Sequence, residues 1–190
     1  MEGAVSGIIL AGGKSRRMGR DKAFLKIKGR RLIDITLDLF KMLFDRILIV
    51  TDDKRRFKGL DGVTVCEDLV KERGPLAGIY TGLLASPYDK AFFAACDMPH
   101  LKPGLIGRML DLAKESDAEC LVPLTSQGLE PLFAIYSKRL LPKIEAALKR
   151  EDLSLRGLLK ECDCRYIQVS DPESLCFANI NTPRDLKDLE

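Results

Sequence analysis

The chain has 190 residues, 46% apolar and 31% charged, and a net charge of only +3. That is the composition of a single soluble domain, 1–190, long enough to bury a sizeable core, and it lacks the general basic excess of a nucleic-acid binder. No apolar stretch approaches the roughly 18 residues a membrane span requires, and the opening Met-Glu-Gly-Ala-Val has neither a basic segment nor a cleavage site, so a cytoplasmic protein with no membrane or nucleic-acid partner is expected.

In chain order, Ile8 to Ala11 reads as a buried strand, because a short unbroken apolar run stops at Gly12-Gly13. Ile33, Leu37, Phe40 and Phe44 mark one face of a helix. Arg46 to Thr51 and Val63 to Cys66 read as strands two and three, the latter ending at Glu67-Asp68. Gly74-Pro75-Leu76-Ala77-Gly78 opens a helix reaching about Leu84, with proline in the first turn, where its missing N–H costs nothing. Ala91 to Cys96 is a fourth strand ending at Asp97, and Pro103 starts another helix. Strands follow at Glu119 to Pro123 and, past a turn at Gln127-Gly128, at Leu132 to Tyr136. Helices at Lys138 to Lys149 and Ser154 to Lys160 precede a strand at Arg165 to Val169 and a last one near Phe177-Ala178. Thr182 and Pro183 are the N-cap and first residue of a closing helix. Strand–helix alternation with nearly all-apolar strands predicts an α/β fold of three layers, a mainly parallel sheet flanked by helices. In such sheets ligands bind beyond the carboxyl ends of the strands, where Gly12-Gly13, Asp68 and Asp97 all fall.

Between Lys14 and Arg31 nine Lys or Arg residues face one acid, Asp21. Set directly after two glycines, they suggest a local anion cradle, and a nucleotide triphosphate is its most natural occupant. Lys26, Lys28, Arg30 and Arg31 are better explained as solvated surface. A P-loop would need glycine at position 8, which is Ile8, and adjacent Gly12 and Gly13 do not fit the dinucleotide fingerprint. The six cysteines are expected to be reduced, Cys96 and Cys120 in the core, and Cys162 and Cys164 too sparse for zinc. Read alone, Asp97 is explained as well by capping of a turn as by metal binding, and Asp68 and the Asn179/Asn181 pair also have ordinary turn readings.

The stretch Leu10-Ala11-Gly12-Gly13-Lys14-Ser15-Arg16-Arg17-Met18-Gly19-Arg20-Asp21-Lys22 resembles the signature of nucleotidyltransferases, most closely the molybdenum cofactor guanylyltransferases. Glu67-Asp68, Gly74 to Gly78, Cys96-Asp97-Met98-Pro99 and Asn179-Ile180-Asn181-Thr182-Pro183 agree in order and spacing, so the resemblance spans residues 7 to 189. It implies transfer of GMP from GTP to molybdenum-bound molybdopterin with release of pyrophosphate, and Mg²⁺ as cofactor. Arg17 and Lys22 would meet the phosphates, with Arg16 an alternative to Arg17, and Asp97 would be the metal ligand. Leu10, Ala11, Gly12, Gly13, Asp68, Gly74, Pro75 and Gly78 would line the GTP site, the backbone N–H groups of residues 11 to 13 turned to the nucleotide. Asn179 and Asn181 would serve the acceptor, with Glu130-Pro131 at its border. Molybdoenzyme maturation proteins are candidate partners. The alternatives are a related enzyme using CTP or a sugar phosphate, and a non-catalytic nucleotide-binding module.

Overall fold

Strands that are apolar at every position need cover on both faces of their sheet. The computed structural model, which describes residues 3–12 and 22–187, has that arrangement. After β1 (Val5–Leu10) comes a small hairpin of β2 (Lys26–Ile27) and β3 (Arg30–Arg31). It turns on Lys28 and Gly29, both with left-handed φ (48° and 81°), the pair of conformations that a two-residue hairpin turn favours. Helix α1 (Leu32–Leu43) leads to β4 (Ile47–Thr51) and β5 (Thr64–Glu67), and α2 (Gly74–Ala85) to β6 (Lys90–Ala95). Then follow α3 (Pro103–Glu115), β7 (Cys120–Thr125), β8 (Gly128–Leu129) and β9 (Phe133–Ser137). The chain continues through α4 (Leu141–Lys149), α5 (Leu155–Lys160), β10 (Cys164–Gln168), α6 (Asp171–Ser174) and α7 (Pro183–Lys187).

The main sheet runs β10-β7-β9-β6-β1-β4-β5, with β8 paired to β7. β1 is parallel to β4 and β6, β4 to β5, and β7 to β10. Strand β9 alone in this order runs against both its neighbours, β6 and β7. Successive residues of a strand point to opposite faces, and both faces are filled. Ile8, Leu48, Phe93 and Ala134 pack under α2, α4 and α5, while Ile9, Ile49, Phe92 and Ile135 pack under α1 and α3. The expected three-layer, mainly parallel architecture is the observed one. Helix α2 lies close on the sheet because it carries glycine where it crosses. A Cβ on Gly82 would stand 2.7 Å from the Phe93 ring, and one on Gly78 would stand 3.0 Å from Leu10.

Two expected elements differ. Phe177-Ala178 is not a strand: Leu175–Phe177 is a 3-10 turn whose Cys176 and Phe177 are buried against the α1–α3 face. A short apolar run signals burial, not the form in which the backbone is buried. Lys138 to Lys149 is not one helix but a 3-10 turn at Lys138–Leu140 followed by α4, with Pro142 in the first turn of the α-helix. A third, small core could not be read from any single segment. Leu25, Leu32 and Ile180, with Ile27 and Leu186 against them, join the hairpin region to the C-terminal segment.

Candidate active site

The carboxyl ends of β1, β4, β5 and β6 lie side by side, and the residues just past them form the site. On the β4–β5 side, Asp68 extends the ladder, its N–H donating to Thr51 O at 2.7 Å. Its Oδ1 accepts from Thr81 Oγ1 at 2.8 Å and from Val70 N at 3.3 Å, and Thr81 Oγ1 in turn accepts from Leu69 N at 3.0 Å. Burial raises the Asp68 carboxyl above the usual aspartate range, against those hydrogen bonds, and the nearby charge of Asp52 pushes the same way. Asp52, which has no signal in the sequence beyond its place at a strand end, borders Gly12: among the described residues, a Cβ added to Gly12 would meet Asp52 N at 3.8 Å and Thr51 Cα at 3.9 Å. Those are ordinary contacts, so among the described residues none crowds that position. Gly74 (φ 65°) and Pro75 are exposed at the start of α2, whereas Gly78 is buried against Leu10.

One expectation is corrected. The N–H of Ala11 donates to Val50 O at 2.8 Å and Ala11 is 3% exposed, so it belongs to the β1–β4 ladder and cannot also serve a ligand. Gly12 is exposed past the ladder. Gly13, Arg16 and Arg17 lie outside the described residues.

On the β6 side the ladder continues through Cys96 N–H to Leu10 O at 3.0 Å and delivers Asp97. Lys22 stands at the head of a 3-10 turn, Lys22–Phe24, anchored by buried Ala23 and by Phe24, whose ring centroid is 5.2 Å from that of Phe57. Its Nζ donates to Asp97 Oδ2 at 2.7 Å and to Asn181 Oδ1 at 2.8 Å. The segment carrying Asn181 is fixed beside Asp97 by Ile180 N–H, which donates to Asp97 O at 3.0 Å. It is fixed again by Asp185, whose Oδ2 accepts from the N–H groups of Asn181 (2.8 Å) and Thr182 (2.9 Å). Those two backbone donors, with Thr182, hold the Asp185 carboxyl below the usual range. Thr182 Oγ1 returns a cap to Asp185 N at 3.2 Å, as expected for an N-cap. Asn179 does not join Asn181: its Oδ1 is buried and has no hydrogen-bond partner among the described residues.

Lys26, Lys28 and Arg30 are exposed, Arg30 pairing with Asp38, and Arg31 pairs with Asp34 at 2.6 Å. They are surface, as the solvated reading expects. A sequence model of the MobA-like NTP transferase domain matches residues 7–167, most of the chain.

The chain belongs to the MobA-like NTP transferases.

Among relatives, a probable molybdenum cofactor guanylyltransferase of Natranaerobius thermophilus is 37% identical over 191 residues, covering 96% of this chain and 93% of its own. A molybdenum cofactor guanylyltransferase of Desulfosudis oleivorans is 37% identical over 193 residues, covering 98% and 95%. Among solved structures, molybdopterin-guanine dinucleotide biosynthesis protein A of Archaeoglobus fulgidus superposes with a TM-score of 0.84 at 27% identity, covering 98% of this chain and 97% of that one.

In this MobA-like transferase the donor set suits a hard cation that is shared with a ligand. Asp97 Oδ2 is engaged by Lys22, and no group of three or more His, Cys, Asp or Glu residues able to hold a metal exists among the described residues. Mg²⁺ typically takes one or two carboxylates and completes its shell with water and substrate phosphates, so a single strand-end carboxylate fits. Glu130 precedes β9, which runs against β6 with Phe133 opposite Ala94, so it lies at the same edge as Asp97. It is half-buried, and burial raises its carboxyl while Arg156 lowers it.

Proposed function

We propose that this chain transfers GMP from GTP to the terminal phosphate of molybdenum-bound molybdopterin, giving the guanine dinucleotide cofactor and pyrophosphate. The observation that carries the reading is Lys22 bridging Asp97 and Asn181 at the carboxyl edge of the sheet, in a chain whose relatives are named molybdenum cofactor guanylyltransferases. A phosphate oxygen of the acceptor attacks the α-phosphorus of GTP. The new P–O bond forms as the bond to the β-phosphate bridging oxygen breaks, and pyrophosphate leaves. The acceptor phosphate is ionised at neutral pH and needs no side-chain base. The protein's work is therefore positioning and charge stabilisation.

Gly12, exposed past the ladder, lets the triphosphate approach the backbone, and Gly13 is proposed to bind it too. Leu10 and Gly78 support it from beneath by their mutual packing. Asp68, Gly74 and Pro75 border the guanosine end. Lys22 exchanges its bond to Asp97 for one to phosphate oxygens, as a compact cation can, and Arg17 adds a forked donor. When bound, Mg²⁺ supplies positive charge where the phosphoryl oxygens become more negative, and Asp97 is the carboxylate that would hold it. Asn181 and Asn179, with Glu130 nearby, serve the acceptor end. The proposed place of work is the cytoplasm, with delivery of the product to molybdoenzyme maturation proteins; no described helix is long and apolar enough to cross a membrane.

Incubation with Mg²⁺, molybdopterin loaded with molybdate and each of GTP, CTP and ATP, following pyrophosphate release, tests the reading. Turnover with GTP is expected. Preference for CTP would assign the chain to a related nucleotidyl transfer, and absence of turnover with any of them would leave a binding module.

A further inference from the structure

Away from the site, at the opposite end of the sheet, three thiols are gathered. Cys120 opens β7 and Cys164 opens β10, and the two are direct partners in the parallel register of those strands. Their sulfurs are 2.7 Å apart although the residues are 44 positions apart in the chain. Cys162 is turned elsewhere, its Sγ donating to Leu158 O at 2.9 Å. Cys120 is fully buried, while Cys162 and Cys164 are half-buried.

We propose that Cys120 and Cys164 form an oxidative modification site, at which a hydroperoxide converts the pair to a disulfide that fastens the edge strand β10 to β7. Cys164 is the sulfur that meets the oxidant, because it is the one of the pair with solvent access. The side-chain contact with Cys120 holds the Cys164 thiol below the ordinary range, and the same contact together with burial pushes Cys120 far up. Cys164 thiolate is thus the nucleophile. It attacks one peroxide oxygen; the S–O bond forms as the O–O bond breaks, giving a sulfenic acid and hydroxide, which takes up the proton Cys164 had released. The Cys120 sulfur then attacks the Cys164 sulfur. The S–S bond forms, the S–O bond breaks, and the hydroxyl leaves with the Cys120 proton as water. Two thiols and one hydrogen peroxide give one disulfide and two waters.

The bond would matter because β10 ends the sheet and, among the described strands, has only β7 beside it. The segment that follows β10 carries Asn179 and Asn181. Closing a long loop constrains mainly the unfolded chain, so the oxidised protein is expected to melt on the order of 5–10 °C higher than the reduced one. The proposal does not depend on which nucleotide or acceptor the enzyme uses.

Full-length protein treated with hydrogen peroxide in slight excess should lose two hydrogens by intact mass and leave four of its six cysteines open to alkylation after denaturation. Peptide mapping should find the Cys120–Cys164 link in the wild type and in Cys162→Ser, and Cys164→Ser should form no bridge. The rise in melting temperature should disappear with reductant. Retention of all six thiols, a link mapped to Cys162, recovery of Cys164 only as sulfinic acid, or a bridged protein that melts no higher than the reduced one would each overturn it.

Discussion

The two halves of the site are built in opposite ways. On the β4–β5 side the polar groups are satisfied by neighbours in the fold's regular scaffold: Asp68 by the β4 ladder and by Thr81 of α2, thirteen residues on. On the β6 side the bonds join segments that are remote in sequence, Lys22 reaching Asp97 over 75 positions and Asn181 over 159, and Asn179 keeps a buried oxygen with no partner among the described residues. The first half is a preformed wall, with Asp68 Oδ1 already engaged by Thr81 and by Val70 N–H. The second is held together by the groups that a triphosphate, a cation and an acceptor phosphate would redistribute. Chemistry is therefore expected to depend steeply on the second half and nucleotide affinity on the first.

The sharpest way to break that contrast is Asp97→Asn, which keeps shape and removes charge. kcat/KM is expected to fall about 10³-fold with an unchanged melting temperature, since a preorganised charge at the reacting phosphate is the largest single contribution such a site makes. An unchanged rate would remove Asp97 from the chemistry. Lys22→Met should cost about 10²-fold in kcat/KM and, unlike Asp97→Asn, should release the Asn181 segment, read as faster amide exchange at residues 180–182. Asn181→Ala should raise the acceptor KM on the order of tenfold while leaving that for GTP alone; equal changes in both would undo the division into halves. Thr81→Val tests the wall. It removes the hydroxyl that binds Asp68 and Leu69 N–H, and should cost about 1–3 kcal/mol of stability and raise the GTP KM a few-fold with kcat unchanged.

The smallest effect lies outside both halves. Glu119 accepts from Lys143 Nζ at 2.6 Å and Asp163 N at 2.9 Å; burial alone would raise its carboxyl, but those donors outweigh it and hold it low. A carboxylate with a depressed folded-state value contributes stability that is full above its unfolded value, roughly pH 4.3, and is lost as pH falls through the folded value. Melting of wild type should therefore decline more steeply than that of Glu119→Gln as pH falls below that point.

The same division governs how far the sequence could be read. The apolar runs at β1, β4 and β6 announce a sheet covered on both faces, and Pro75, Pro103 and Pro183 mark the helix starts found in the structure. Strand direction is a different matter: Phe133–Ser137 is buried throughout, and an unbroken apolar run looks alike parallel or antiparallel. Ala11 could not be told from Gly12 as a donor, because only the register with Val50 shows that its N–H is taken. The contacts that bring Lys22 to Asn181 depend on Leu25, Leu32 and Ile180 closing a small core between distant segments, and no local pattern encodes that meeting. Cys120 and Cys164 are hidden from sequence for the same reason. The strand-end carboxylates Asp68 and Asp97 were legible because topology alone puts them on one edge.

The central claim is that Lys22 and Asp97 act as one unit on the phosphates. A double-mutant cycle on kcat/KM for GTP, with Lys22→Met, Asp97→Asn and the double variant, measures it directly. Residues that act together lose little more together than the worse loses alone, so the double variant should fall within about threefold of Asp97→Asn. A double variant whose loss equals the product of the two single losses would contradict the account.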